Sequence, residues 1–589
     1  MKENNVLSRR ELLSRSGRIV LGSTLGTASI TSLLGCHNPP PPTPHIAPSG
    51  SPPTPSESAS GVKFTDITRE SGLNFKQRNG TCERRYFAEQ VAAGAALFDA
   101  NGDGFLDIYF PQPKPLGICT AAYKNEEPLR HRLYINDGHG NFTENKEAFG
   151  GVDTDYGIAC AVGDYNNDGH PDLYVCCYGR NTLFRNRGDG TFEDVTLKAG
   201  VGLHGFSTGA VWFDYDNDGY LDLFVCRYCE WTVEGDNPCK GPNNKPDVCA
   251  PTFYKPSTVV LYHNNRNGTF TEVTHKAGMG MTAARSLGVA AADFHGEGRL
   301  DLFVANDMGS NFLYRNKGDG TFEDVASQQG VALGMHKVQP QANMGVAVGD
   351  YDEDGDLDVL VTTFSSEAYT LYRNEGGKYF TDVTTETGLY NPTTPYLGFG
   401  TGFFDARNLG RLDLFFANGH VNPFIELTDP NIKVKERNQL FLNDGKGKDC
   451  QFVEDKSALP ADDVRVHKGA CFGDINNDGR IDILVTASDD VPTLLRNDCA
   501  PANWLLLKLT SKNGCATPIG TRCIATIQGK TRLRVVLGGG SYGGESDHRV
   551  HFGLDKAEKV DQLEIHWMSG KKQILTDIKA NQILDIKEK

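Results

Sequence analysis

An apolar run, a short loop dense in Asp and Asn, and a second apolar run opening on Asp recur seven times along the chain. The copies are FDANGDGFLDIYF from Phe98, GDYNNDGHPDLYV from Gly163, FDYDNDGYLDLFV from Phe213, ADFHGEGRLDLFV from Ala292, GDYDEDGDLDVLV from Gly349, FDARNLGRLDLFF from Phe404 and GDINNDGRIDILV from Gly473. Successive copies begin roughly 50 to 80 residues apart, and self-similarity at a fixed long period marks a propeller or an array of stacked units. The spacing therefore constrains the fold class before any single residue is weighed.

Five of the loops keep oxygen side chains at positions 1, 3, 5 and 9. They are Asp99, Asn101, Asp103 and Asp107; Asp164, Asn166, Asp168 and Asp172; Asp214, Asp216, Asp218 and Asp222; Asp350, Asp352, Asp354 and Asp358; and Asp474, Asn476, Asp478 and Asp482. Gly at position 6 allows the chain to turn sharply, and alternate positions then converge on one point. Three or four carboxylates so gathered repel one another unless a hard cation sits among them. Ca²⁺ suits the set because it accepts six to eight oxygens in loose geometry. The backbone carbonyls at position 7, those of Phe105, His170, Tyr220, Asp356 and Arg480, are expected to complete the shell. About five Ca²⁺ ions are predicted. The fourth loop, with His295 and Glu297, and the sixth, with Arg407 and Leu409, lack ligands and read as hairpins without metal.

A second phrase follows each of the first six loops, as in LFRNRGDGTFEDVT from Leu183 or LYRNKGDGTFEDVA from Leu313. Two β-rich runs joined by Gly, Asn and Asp make a hairpin, so each repeat reads as four short strands, one blade of a propeller. The seventh stops at Leu494-Leu495-Arg496-Asn497, and its missing fourth strand stands at the other end of the chain as Phe64-Thr65-Asp66-Ile67-Thr68. Pairing the two would leave no exposed edge. The expectation is an all-β chain: a seven-bladed propeller over 61–500 closed by its N-terminal strand, then a small β-sandwich-like domain over 501–589.

The repeats resemble the FG-GAP or VCBS family of β-propellers, also seen in the integrin α head. The last part resembles the ASPIC/UnbV domain through Asn503-Trp504-Leu505, Ile519-Gly520-Thr521-Arg522, Gly540-Ser541-Tyr542, His551-Phe552-Gly553-Leu554, and Val560 to Ile565 running into Trp567, Ser569 and Gly570. Together the pair is similar to the bacterial relatives of cartilage acidic protein. The resemblance implies calcium binding and extracellular recognition. After Ser541-Tyr542 the chain has Gly-Gly-Glu-Ser where a Leu-Ser-Gln type of segment is expected.

Ser8-Arg9-Arg10-Glu11-Leu12-Leu13 followed by an uncharged stretch from Ile19 to Leu34 has the layout of a twin-arginine export signal. Leu33-Leu34-Gly35-Cys36 resembles a lipobox, so residues 1–36 read as a lipoprotein signal with Cys36 as the lipidated residue. The Pro/Ser-rich stretch over 37–60 cannot bury a core and reads as an extended spacer.

The formal charge of −16 argues against a nucleic-acid partner, which needs a basic face. Fifteen cysteines become fourteen once Cys36 is set aside, an even number that suits disulfides in an exported chain. Cys515 and Cys523 are close enough to bridge, and Cys160 and Cys176 flank the second acidic loop. Cys226, Cys229, Cys239 and Cys249 have a spacing open to either zinc or disulfides; Cys239 with Cys249 resembles a pair found in the family.

Arg187-Gly188-Asp189 falls in a hairpin turn. Histidines at 204, 263, 295, 420 and 467 share no spacing, and no nucleophile elbow, phosphate loop or catalytic carboxylate pair is legible. Asn306-Asp307 and Asn418-Gly419-His420 follow second strands and could line one face. The expected function is a lipid-anchored, calcium-holding binding or adhesion module for a protein or glycan at the cell envelope. The rival readings are a polysaccharide lyase or hydrolase working at the propeller axis, and a scaffold for an envelope complex.

Overall fold

The computed structural model describes residues 61–125, 129–152, 154–334 and 339–589. The export signal, Cys36 and the spacer expected over 1–60 lie outside the described residues.

Each acidic loop joins two antiparallel strands, and two more complete a four-stranded antiparallel unit, numbered one to seven here in chain order. Unit five runs Val346–Gly349, Asp358–Val361, Thr370–Asn374 and Phe380–Asp382, paired in that order. Unit seven runs His467–Gly473, Asp482–Ala487 and Thr493–Asn497, and its fourth strand is Phe64–Asp66, with Phe64 opposite Asn497 and Asp66 opposite Leu495. The strands are this short and this apolar because both faces are covered: Val359, Leu360 and Val361 are fully buried, as are Ile483, Leu484 and Val485.

The innermost strands meet backbone to backbone. Six units place Gly five residues before the first loop Asp, at 94, 209, 288, 345, 400 and 469, and unit two has Ala159 there. A Cβ on Gly345 would stand 2.0 Å from the Phe399 carbonyl oxygen, one on Gly288 2.3 Å from that of Met344, and one on Gly469 3.3 Å from that of Ala93. Each of these glycines faces the next unit, and Gly469 of unit seven faces unit one.

The C-terminal part forms two sheets. In one, Asn503–Thr510 lies between Val550–Asp555, antiparallel, and Gln582–Lys587, parallel. The other orders Lys530–Val535, Arg522–Ile527, Lys559–His566 and Lys572–Lys579. Leu505, Leu507, Phe552, Ile565 and Trp567 share the buried cluster between them.

Between these sheets the chain leaves the domain and runs among the four-stranded units over 538–545, a segment that includes the Gly543-Gly544-Glu545 departure from the expected pattern after Ser541-Tyr542. Gly538 and Gly539 pair with Ala291 and Ala290 of unit four. Ser541 exchanges backbone bonds with Val346 of unit five at 3.0 and 2.5 Å. Its hydroxyl donates to the Ala470 carbonyl of unit seven (2.6 Å) and accepts from the Thr401 amide of unit six (3.2 Å). The Gly543 carbonyl accepts from Cys160 of unit two, and Glu545 exchanges bonds with Ala95 and Leu97 of unit one. Gly538 abuts the Trp212 carbonyl of unit three, where a Cβ would stand at 2.8 Å. One segment thus touches all seven units, and glycine is required where it crosses, since a Cβ on Gly94 would lie 2.0 Å from the Gly543 oxygen.

The cysteines only partly follow expectation. Cys239–Cys249 is a disulfide, which leaves Cys226 and Cys229 as buried thiols, and a second bridge, Cys82–Cys119, joins two segments 37 residues apart. Cys515 and Cys523 are not bonded to each other. Cys515 turns its sulfur to the Asp164 carbonyl, whereas Cys523 sits on a strand opposite Ile565, inside the domain core. Cys160 and Cys176 also stay apart: Cys160 pairs with Val175 and Cys176 with Ala159, so they point to opposite faces of the sheet.

Candidate metal centre

In each acidic loop the turn is built by its own carboxylates. Asp350 accepts the amides of Asp354 (3.0 Å) and Gly355 (3.2 Å), and Asp474 those of Asp478 (3.0 Å) and Gly479 (2.7 Å). Position 4 is left-handed, at φ 58° for Asn167, 57° for Asn217, 63° for Glu353 and 56° for Asn477, a conformation Asn tolerates better than most residues. Position 9 reaches across to the third strand, as when Asp358 accepts the Asn374 amide at 2.8 Å and the Tyr351 amide at 3.2 Å. The position-7 amides of Phe105, His170, Tyr220, Asp356 and Arg480 donate to the position-5 carboxylates at 2.8–3.1 Å.

The third and fifth loops gather three carboxylates each within 4.8 Å of one another, Asp214 with Asp216 and Asp218, and Asp350 with Asp352 and Asp358. The first, second and seventh have Asn at position 3, and there the amide of Asn101, Asn166 or Asn476 donates to the position-5 Asp at 2.9–3.0 Å, filling part of the space. Without a cation these groups resist ionisation. Burial, helped by neighbouring carboxylates, raises Asp107, Asp214, Asp222 and Asp350 to about 7, and Asp164, Asp352 and Asp474 to about 6. The same causes push Asp172, Asp358 and Asp482 well above the usual range. One oxygen of Asp172 and one of Asp352 are buried with no hydrogen-bond partner. Buried, orphaned carboxylate oxygens in an all-oxygen set fit a hard divalent cation such as Ca²⁺.

The two degenerate loops sharpen this. In the sixth, Arg407 at position 3 donates to Asp413 at position 9 (2.7 Å) and to the Asn443 carbonyl (2.9 Å). In the fourth, Gln329 donates to His295 Nε2, which leaves Nδ1, 2.7 Å from Asp301, to donate there. In both, a side-chain N–H from position 3 stands against the position-9 carboxylate. Elsewhere basic side chains pair with loop carboxylates: Arg266 with Asp218 (2.7 Å) and Lys448 with Asp354 (2.9 Å) from outside the loop, and Arg480 with Asp478 within its own loop.

Two sets of residues escaped the sequence reading. His263 lies 3.3 Å from Asp222 and 3.5 Å from Asp216, at a place where four other third strands carry Arg185, Arg315, Arg373 and Arg496. The asparagine that follows it in each unit donates to the carbonyl at position 2 of the preceding unit's loop, as Asn264 does to Tyr165 at 2.8 Å.

Most of the scattered histidines are held by separate local partners: His467 by Asp463 and the Asn418 carbonyl, His420 by Ser365 and the Asn422 amide. Because His420 Nδ1 accepts from Asn422, its Nε2 carries the proton towards Ser365, the wrong tautomer for activating that hydroxyl. Asn306, Asp307, Asn418 and His420 are all buried, so they do not form an open lining.

Residues 510–589 match the family model of ASPIC and UnbV, and 121–175, 164–225, 243–304 and 293–361 match the FG-GAP-like repeat. Cartilage acidic protein 1 of Xenopus tropicalis is 27% identical over 308 residues, covering 51% of this chain and 44% of that one. The human protein of that name is 25% identical over 293 residues, covering 48% and 41%. The match thus spans less than half the length of these relatives. Among solved structures, the BP39L lectin of Burkholderia pseudomallei is 10% identical with a TM-score of 0.43, covering 70% of this chain and 97% of that one. A lectin of Agrocybe aegerita that recognises non-reducing terminal N-acetylglucosamine is 16% identical with a TM-score of 0.35, covering 71% and 91%.

Proposed function

Since the chain is one of those that combine FG-GAP-like repeats with an ASPIC/UnbV domain, we propose that it is an exported, calcium-holding, closed seven-bladed propeller that serves as a binding module at the cell envelope. The observation that carries the calcium reading is the contrast between loops: Arg407 and His295 donate to the position-9 carboxylate where ligands are lost, while buried carboxylate oxygens of Asp172 and Asp352 go unpaired where ligands are kept. Closure is supported by the pairing of Phe64–Asp66 with Thr493–Asn497 and by the Gly469 to Ala93 approach.

The bound ion has one chemical task, to neutralise and fix the loop between the first two strands. The residues that would hold it are the position 1, 3, 5 and 9 side chains named above, with the position-7 carbonyls. Partner contact is assigned to the other end of the strands. The segments joining second to third strands at 111–131 and 228–259 are long there; Cys82–Cys119 fastens the first to the chain before unit one, Cys239–Cys249 closes a loop within the second, and Phe87 stacks on Tyr228 at 5.6 Å. The axis is threaded by the Gly538–Glu545 segment, which weighs against a catalytic site there. Disulfides favour an oxidising compartment, and Cys36 is the proposed anchor.

A glycan array and a pull-down from envelope membranes, each run with Ca²⁺ and with chelator, test the function. Calcium-dependent retention of a partner is expected; a chain that retains nothing under either condition refutes the binding role. Cys36→Ser should release the exported protein from the membrane fraction, and continued association would place the tether elsewhere.

A further inference from the structure

In units two, five and seven the third strand carries an arginine that bonds away from the acidic loop, Arg185 to Glu193 (2.7 Å), Arg373 to Glu375 (2.9 Å) and Arg496 to Asp498 (2.8 Å). Unit three has His263 at this place, and the corresponding outward partners are the uncharged Thr271 and Asn265. The imidazole faces the loop instead. Its Nδ1 lies 3.3 Å from an oxygen of Asp222 and 3.5 Å from one of Asp216, and the three residues bring one ligand atom each within 4.8 Å of the others. That nitrogen is buried and makes no hydrogen bond among the described residues. His295 of the fourth loop is the contrast: its Nδ1 stands 2.7 Å from the single carboxylate of Asp301, an ordinary hydrogen bond. His263 holds a wider distance to two carboxylates at once, while Asp218 of the same loop is taken by Arg266 (2.7 Å).

We propose that the third loop is a zinc site, with His263 Nδ1, Asp216 and Asp222 as its protein ligands. Ca²⁺ takes oxygen, so it has no use for an imidazole nitrogen, whereas imidazole and carboxylate together suit Zn²⁺. Bonds of about 2.1 Å set the ligand atoms of a zinc tetrahedron about 3.4 Å apart, which is the spacing of Nδ1 from both oxygens. Asp222 is fully buried, and its two oxygens are fixed by the amides of Asn264 (2.7 Å) and Tyr215 (3.2 Å); each oxygen keeps a second lone pair for a metal. The side chains of His263 and Asp216 are 28% and 29% exposed, which gives the ion a way in and leaves the fourth position to water. The inference rests on the metal reading above in taking the loop to hold a divalent cation; without zinc the loop holds Ca²⁺ like its four counterparts.

The test strips the full chain with chelator, dialyses it against equal concentrations of Ca²⁺ and Zn²⁺, and measures bound metal by mass spectrometry. One Zn²⁺ per chain should be retained, with one Ca²⁺ fewer than in zinc-free buffer. His263→Gln and His263→Arg should each weaken zinc at least tenfold, while calcium uptake in zinc-free buffer and the Tm in chelator remain those of the parent. If His263→Gln does not fold, His263→Arg, which carries the residue of the sister units, decides. Co²⁺ in place of zinc should give the visible absorption of a tetrahedral site without a thiolate charge-transfer band, which separates this site from the buried thiols of Cys226 and Cys229. Calcium uptake with no zinc retained, zinc undiminished in both variants, or a thiolate band overturns the proposal and leaves the calcium reading standing. One zinc held through His263 with no calcium bound anywhere keeps the proposal and removes the calcium reading; if neither metal binds, both fall.

Discussion

The side-chain amide of Asn136 lies 2.8 Å from the carbonyl oxygen of Ile475, although 339 residues separate them. The same bond recurs in the other six units: Asn186 to Ala100, Asn264 to Tyr165, Asn316 to Tyr215, Asn374 to Phe294, Asn443 to Tyr351 and Asn497 to Ala406, all at 2.7–3.1 Å. Each amide also donates to a carbonyl of its own loop, Leu106 in the case of Asn136. Asn136→Ala would leave two buried carbonyls unsatisfied and should cost about 2–6 kcal/mol, from about 1–3 kcal/mol per orphaned group. Asn141→Ala, on an exposed turn, should stay within about 0.5 kcal/mol. Urea unfolding of the two variants checks this, and equal stabilities would mean that the seventh-to-first junction carries no load.

Gly345→Ala should be among the most damaging single changes in the chain. Its Cβ would meet the Phe399 carbonyl at 2.0 Å, backbone against backbone, where no rotamer can relieve the clash. Gly309→Ala, whose nearest contact would be 3.7 Å, is the control. Loss of soluble expression or a large fall in Tm is expected for the first and near-parent behaviour for the second.

The segment over 538–545 ties the C-terminal domain to the four-stranded units. Tyr542 is 2% exposed, donates to the Val91 carbonyl at 2.9 Å and meets Phe399 edge-on with centroids 4.8 Å apart. Tyr542→Ala should cost about 3–5 kcal/mol by the cavity it leaves. Limited proteolysis of that variant should release the domain after about residue 500 faster than from the parent; unchanged cleavage would mean that the segment is not what holds the two parts together.

The pH dependence follows from the raised carboxylates. In the metal-free chain Asp107, Asp214 and Asp350 sit at about 7 instead of 3.8. The folded chain therefore holds protons that the unfolded chain has shed. That contribution to stability is complete below about pH 4 and is lost as pH rises through about 7. Calcium must displace the same protons, so the Tm gap between calcium-loaded and chelated protein should widen from pH 5 to 7.5. Scanning calorimetry at both values measures it; a gap that narrows would contradict the account.

How far the sequence could be read depended on the range of each interaction. The acidic loops were legible because their geometry is local: Asp350, Asp352 and Asp358 need only a fixed spacing to converge. The pairing of Phe64 with Asn497 was legible because the strand phrase itself was missing from one end. The glycines five residues before six of the loops were present in the sequence but unread, because their reason lies in the neighbouring unit. Ser541 and Tyr542 gave no sign that they run among the four-stranded units, since that depends on all seven units together. Cys515 and Cys523 misled by closeness in sequence, while Cys82 and Cys119, 37 residues apart, gave no local signal.

The calcium stoichiometry of the chelated chain tests the central claim most directly. Calorimetric titration should show about five ions bound, with affinities on the order of 10⁻⁴ to 10⁻³ M, and a calcium-dependent rise in Tm. Asp352→Ala should lose one ion and Glu297→Ala none. No binding heat and no shift in Tm, or a site lost on changing Glu297, would contradict the account.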